Sequence, residues 1–212
     1  MKISILCTEP LHPVVAHLIE WSRQTKLKGH DVLLTHDKSE LSGGDILFLV
    51  SCSQLIRSEE RVKYKAALLL HASDLPQGRG WSPHIWAILT GVQQITVCLL
   101  EASDPVDTGD IWLKRTFELQ GHELLSEINE KLFQCELELM SEVVDKFDQI
   151  EPIPQQGIPG DYLRRRSPEN SRLDINKPIA EQFHLLRVVD NERYPAFFEN
   201  CGHKYIVKIE KA

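Results

Sequence analysis

Apolar and polar positions alternate in two rhythms along the first hundred residues. Residues 2–7, 31–35 and 45–50 are short apolar runs with the length of strands, and residues 66–70, Ala-Ala-Leu-Leu-Leu, form a fully apolar run suited to a central buried strand. Between them residues 13–25, 55–65 and 83–90 read as helices, the last leading through Gly91 into a strand at 95–100. Strands alternating with helices predict parallel strands joined by crossover helices. In such a unit both strands end at the same edge of the sheet, where open α/β folds bind ligands. His71 and Asp107 each follow a strand end, so topology predicts that they meet.

The second half changes rhythm. Residues 111–119 read as a further strand, and residues 123–150 place Leu125, Ile128, Leu132, Leu139, Val143 and Phe147 close to a 3.6-residue period. That predicts one long amphipathic helix, roughly 40 Å at about 1.5 Å per residue, packed on the sheet. Residues 151–161 contain Pro152, Pro154, Gly157, Pro159 and Gly160 and read as a linker. Beyond it Asn176 is a candidate cap for a short helix with Pro178 in its first turn and Ile179, Phe183 and Leu186 on one face. A hairpin over 196–209, turning near Cys201-Gly202, closes the chain and is a candidate contact between two copies. The expected architecture is α/β, a Rossmann-like, doubly wound, mostly parallel sheet over residues 1–150, then the linker, then a small C-terminal α+β subdomain over 162–212. No internal repeat or low-complexity tract interrupts it.

Composition narrows the class. At 212 residues, 42% of them hydrophobic, the chain is long enough for a cored domain with an appended subdomain. The first apolar stretch is too short for a signal-peptide core or a bilayer span, so a cytoplasmic protein without membrane contact is expected. Cys7, Cys52, Cys98, Cys135 and Cys201 are odd in number and form no Cys-x-x-Cys pair, which argues against a disulfide framework and a thiolate zinc site. The net charge of -7 is uneven: residues 1–150 hold 14 basic against 22 acidic side chains, and residues 151–212 hold 10 against 9. An acidic body argues against nucleic acid as a partner. Arg164, Arg165 and Arg166 are either a phosphate grip or a solvated surface run.

Chemistry concentrates after the apolar run. His71-Ala72-Ser73-Asp74-Leu75-Pro76-Gln77-Gly78-Arg79-Gly80-Trp81 opens with a titratable imidazole and continues through Pro and Gly into an irregular loop. Asp107-Thr108-Gly109-Asp110 offers a carboxylate to accept a hydrogen bond from one ring nitrogen, leaving the other to donate or accept a proton, although Asp-Thr-Gly is also an ordinary turn. Other templates are missing: no Gly-x-Gly-x-x-Gly follows the first strand, no phosphate-cradling Gly-x-x-x-x-Gly-Lys-Ser/Thr occurs, no His-Glu-x-x-His marks a metal, and no Gly-x-Ser-x-Gly elbow marks an acyl enzyme.

The pattern His71, Ser73, Leu75, Pro76, Arg79, Gly80, followed by a strand and by Asp107-Thr108-Gly109, resembles the folate-dependent N-formyltransferases, whose fold includes methionyl-tRNA formyltransferase. Trp81-Ser82-Pro83 is most similar to the branch that formylates nucleotide-linked amino sugars. The run from Arg165 to Ser171, then Asp174 and Tyr194-Pro195-Ala196-Phe197, resembles the trailing subdomain of the same family. The resemblance implies that 10-formyltetrahydrofolate donates a formyl group to the amine of a nucleotide-linked amino sugar by direct attack, in a catalytic domain spanning residues 1–150. His71 would handle the proton and Asp107 would support it. The folate would lie against Gln54, Leu55 and Ile56, against Ser103, Asp104, Pro105, Val106 and Asp107, and beside Trp81; for Leu55 and Ile56 the start of a buried helix face is an equal alternative.

The chain departs from that pattern in two places. Where the family has an asparagine two residues before the histidine, this chain has Leu69, so the oxyanion must find another donor, with Ser53, Ser51 and Ser73 as candidates. A strand and helix usual between Asp31 and Asp45 are also absent. Formyl transfer to another amine such as an initiator aminoacyl-tRNA, hydrolysis of the formyl donor, and folate or nucleotide-sugar binding without turnover are the alternatives. A plain NAD-binding module is disfavoured by the missing glycines.

Overall fold

A computed structural model describes all residues, 1–212. Its centre is a six-stranded sheet in the order β2-β1-β3-β4-β5-β6, made by β1 (Lys2–Leu6), β2 (Asp31–Thr35), β3 (Gly44–Leu49), β4 (Tyr64–His71), β5 (Gln94–Glu101) and β6 (Ile111–Glu118). The mixed α/β architecture with a small separate hairpin is the expected one. The pairings β1–β2, β1–β3 and β3–β4 are parallel.

Period-two burial builds the core. Ile3 and Ile5 of β1, Phe48 of β3, Leu68 of β4 and Leu99 of β5 share a buried cluster with Leu18 and Trp21 of α1 (Val14–Leu27) and Leu139, Met140 and Val143 of α4 (Leu125–Lys146). Trp21 Nε1 donates to Ser141 Oγ at 2.8 Å and locks the two helices together. The long helix is thus present as predicted, although its last expected turn, Phe147–Gln149, tightens to a 3-10 helix. The opposite face is covered by shorter pieces. Leu6, Leu47 and Leu49 pack there with Leu41, Ile56 and Tyr64, while Leu75, Cys98 and Leu100 form a second small cluster.

Three expectations need correction. β5 runs antiparallel to β4, with Leu68 opposite Glu101 and His71 opposite Cys98, and β6 runs antiparallel to β5. The connecting helix α3 (Pro83–Leu89) has seven residues, about 10 Å of rise, whereas β4 has eight residues spanning roughly 26 Å. So short a helix does not carry the chain back along the sheet, and the strand returns instead from the edge where β4 ended. The helix expected over 55–65 shrinks to α2 (Ser58–Arg61), because Tyr64 already belongs to β4, buried and donating its hydroxyl to Ser4 Oγ at 3.0 Å. Finally, α5 (Ile179–Leu186) starts from Pro178, not from an Asn176 cap; Asn176 is held instead by Asp174 Oδ1.

The C-terminal residues are tied to the turn between β6 and α4. The strands β7 (Ala196–Asn200) and β8 (His203–Val207) form the predicted hairpin around Cys201-Gly202. Ala196 joins Leu186 and Val189 in a small cluster of its own. Arg187, 1% exposed, reaches back with Nη2 to Glu123 Oε2 and Nε to the Glu123 carbonyl, both at 2.9 Å. Glu123 also accepts from the backbone N–H groups of Gln120 and Gly121 and from Lys131. No helix is long and apolar enough to cross a membrane.

Candidate active site

β4 delivers His71 to the sheet edge. Leu69 and His71 sit two apart and so share a face of the strand, and both line a cavity of about 740 Å³. The His71 ring is 7% exposed, and Nε2 lies 2.9 Å from the carbonyl oxygen of Gly78. A carbonyl only accepts, so Nε2 carries the hydrogen and Nδ1 is the atom free to take up or release a proton. Asp107 Oδ1 stands 3.6 Å from Nδ1. That exceeds a hydrogen bond but suits a charge partner for the protonated ring.

The pair therefore meets as expected, by a route the sequence did not suggest. Because β5 is antiparallel it ends at Glu101, beside Leu68, and residues 102–110 must fold back to reach His71. Gly109 permits the fold: a Cβ there would fall 2.0 Å from the Glu101 carbonyl oxygen. Asp107 sits at φ 62, a left-handed conformation that aspartate tolerates better than most residues. Its Oδ2 accepts from the Gly80 N–H at 2.9 Å, so the carboxylate braces the histidine loop rather than hydrogen-bonding the ring. Gln155, from the expected linker, donates to the carbonyls of Asp107 and Gly109 at 3.0 and 2.9 Å. That segment is a strut of the site.

The histidine loop is pinned a second time. Leu163 N–H donates to the Arg79 carbonyl at 2.7 Å, and Trp81 N–H donates to the Leu163 carbonyl at 3.0 Å, straddling Gly80. Gly80 has φ +109, and an added Cβ would lie 2.3 Å from the Leu163 oxygen. Gly80→Ala is expected to cost about 1–3 kcal/mol in backbone strain alone and to free the crossing. A lowered melting temperature together with faster proteolytic cleavage within residues 72–82 would register this, and an unchanged cleavage rate would contradict it.

The other expected site residues divide. Ser51, Ser53, Gln54, Leu55, Ile56, Trp81, Ser103, Val106 and Asp107 all line the same cavity. Ser53 shares its hydroxyl with Thr8 Oγ1 at 3.1 Å. Leu55 is 56% exposed and Ile56 buried, so the helix-face alternative fails for the first and the second packs under the sheet edge. Asp104 and Pro105 shape the neighbouring loop without facing the cavity; Asp104 is ion-paired with Arg61. Ser73 is spent on the Gln77 carbonyl at 2.8 Å and is not on the cavity wall, which removes it as an oxyanion donor. The arginine run also splits. Arg165 stacks 5.0 Å over the Trp81 ring at the cavity, Arg164 lies 6.0 Å over Trp86 outside it, and Arg166 donates to the Asn170 and Val188 carbonyls.

Several cavity residues escaped sequence reasoning. Arg61 bridges the two loops by donating to the Ile56 carbonyl at 2.7 Å while pairing with Asp104; the overlong helix assignment hid it. His12, His84, Asn129 and Glu136 line the inner wall. Glu136 did leave a signal, a carboxylate four residues after Leu132 and three before Leu139 on the apolar stripe of α4. No group of three or more His, Cys, Asp or Glu side chains stands at metal-binding spacing.

The class of the molecule is thus an α/β fold with a histidine and a carboxylate meeting at a cavity on the sheet edge, a pair suited to acid/base work. Residues 13–144, more than half of the chain, match the formyl transferase family model, and the chain belongs to that family. Among curated proteins it is 31% identical over 115 residues to the methionyl-tRNA formyltransferase of Rickettsia massiliae, covering 54% of this chain and 38% of that one. It is 26% identical over 172 residues to the Rickettsia africae enzyme, covering 80% and 55%. The chain thus spans about half or less of the length of these relatives. Among solved structures, methionyl-tRNA formyltransferase from Clostridium thermocellum superposes with TM-score 0.84 at 21% identity, covering 100% of this chain and 93% of that one. HypX from Aquifex aeolicus in complex with tetrahydrofolic acid gives 0.82 at 22%, covering 99% and 37%. A 4-N formyltransferase from Francisella tularensis gives 0.75 at 19%, covering 99% and 97%. These three likenesses establish the fold.

Proposed function

We propose that this chain is a folate-dependent N-formyltransferase that moves a formyl group from 10-formyltetrahydrofolate to the amine of a nucleotide-linked amino sugar. The observation that carries this reading is one cavity joining the His71–Asp107 pair to two loops, 51–57 and 102–110, on one side and to Arg165 stacked on Trp81 on the other. The loops fit a folate: Leu55 and Val106, 56% and 43% exposed, offer apolar faces without a protein partner, as a flat heteroaromatic ring requires. The trailing side fits a nucleotide, with an aromatic plane and a guanidinium for phosphate. The acidic body argues against the tRNA acceptor of the Rickettsia relatives.

During transfer a C–N bond forms between the acceptor nitrogen and the formyl carbon, and the C–N bond to the donor breaks. The acceptor nitrogen loses one proton and the donor nitrogen gains one. His71 Nδ1 is the group placed to relay that proton, Asp107 supports the charged ring, and the Gly78 carbonyl keeps Nε2 from competing. The oxyanion that develops on the formyl oxygen gets no help from Leu69, and of the three candidate serines Ser51 and Ser53 are on the cavity wall. Leu69→Asn is therefore expected to raise kcat, by roughly 10-fold to 100-fold, with little change in KM; a fall in kcat would mean that the leucine is part of the working geometry. Leu69 is also the observation behind a second reading, a binding protein without turnover. Incubation with 10-formyltetrahydrofolate and a panel of nucleotide-linked amino sugars, read by mass spectrometry for the gain of one formyl group, separates them. Folate binding with no formylated product on any amine would sink the enzyme.

A further inference from the structure

The apolar stripe of α4 is broken at Glu136, and the break faces the cavity. Glu136 is 7% exposed, its Oε2 has no hydrogen-bond partner, and no cation pairs with it. Burial pushes its carboxyl up to about 8, so at neutral pH it is the un-ionised acid, both donor and acceptor. One turn and two turns earlier on the same face come Phe133, Leu132 and Asn129. From α3, His84 meets this wall half-buried, with Nδ1 out of solvent and unpartnered; desolvation first, then the charges of His71 and His12, holds it down to about 4, a neutral imidazole. His12 accepts from the Val14 N–H at Nδ1, which leaves Nε2 as a donor.

These groups are costly where they stand. An unpartnered polar atom in an apolar frame lowers stability, and two of them, Glu136 Oε2 and His84 Nδ1, beside Asn129 and His12 on the wall of one cavity are hard to explain as packing. What they share is the ability to donate and accept without a fixed charge, which matches hydroxyl groups better than an anion or an ammonium. We propose that this inner recess binds the hydroxyl-bearing ring of the acceptor, a carbohydrate, with Glu136 reading a ring hydroxyl as donor and acceptor, and His84 and Asn129 reading its neighbours. The inference rests on the amino-sugar reading above and adds the residues of sugar recognition, on the α3 and α4 walls of the same cavity.

The test uses the full chain, wild type, Glu136→Gln and Glu136→Met. Binding is read by saturation-transfer NMR with methyl glucosaminide as the probe, cyclohexylamine as the hydroxyl-free control and 5-formyltetrahydrofolate as the folate probe. Glu136→Met should weaken the glucosaminide at least about tenfold, leave cyclohexylamine and folate unchanged, and melt a few degrees higher, because an apolar side chain replaces an unpartnered acid. Glu136→Gln, which keeps a neutral donor and acceptor, should stay within about threefold of wild type. A structural role for Glu136 predicts the reverse on stability. The recess is overturned if wild type binds the glucosaminide no better than cyclohexylamine, if Glu136→Met binds it like wild type, or if folate binding falls in parallel. Failure of formyl transfer to every amino sugar would sink the reaction while these binding data still decide the recess.

Discussion

Formyl transfer by His71→Ala is expected to fall by roughly 10²–10⁴ in kcat, with the KM for the folate within a few-fold of wild type. The imidazole lines the cavity beside the Asp107 carboxylate, and its loop is braced independently by Asp107 Oδ2 on Gly80 and by the Leu163 crossing. Removing the ring therefore removes the proton relay without releasing the loop. Asp107→Asn separates the two duties of the carboxylate. The amide oxygen can still accept from the Gly80 N–H, so the fold should hold, but the charge opposite Nδ1 disappears and kcat should drop by at least about tenfold. Stopped-flow or mass-spectrometric turnover measures both. Full activity in His71→Ala would remove His71 from the mechanism altogether.

The largest effect on stability is expected at Arg187. Its guanidinium is buried against a buried carboxylate, side chains 1% and 3% exposed, with Glu123 further satisfied by backbone N–H groups and Lys131. Arg187→Met strands that carboxylate and should cost about 3–5 kcal/mol, read as a lower urea midpoint. The double variant Arg187→Met with Glu123→Leu should recover much of the loss, since neither charge is then left alone. Burial alone would push the Glu123 carboxyl up, but the hydrogen bonds from Lys131 and the backbone hold it down at about 2, against 4.5 for a free glutamate. A depressed pKa means that its contribution is complete above about 4.5 and is lost as pH falls towards 2, so acid unfolding of the wild type should begin in that window. In Arg187→Met the onset should move to higher pH.

What could be read in advance follows from what each signal encodes. The apolar run at 66–70 and the period of α4 report burial and helical repeat directly, so β4 and α4 were legible. Strand direction is different, because apolar content is the same either way. It is set by whether the connection can span the strand, and the shortness of α3 was the overlooked cue for β5. In the site, His71 and Asp107 were legible because turn residues follow each at a strand end. Gln155, Leu163 and Arg187 act through backbone and guanidinium contacts across 48, 83 and 64 residues of separation, which no local pattern records. Glu136 lay between, since a lone carboxylate on an apolar stripe is visible but does not say what it faces.

The crossing of residue 163 over Gly80 also orders the assembly of the molecule in time. The matched family region ends at residue 144, and the sheet and α4 are complete at 146, before Gln155 and Leu163 have left the ribosome. Up to that moment the 72–82 loop has its brace from Asp107 but not the Leu163 crossing. A nascent chain would pass through a stage with a finished core and a half-latched reaction centre, so competence arrives last, when the tail is threaded across.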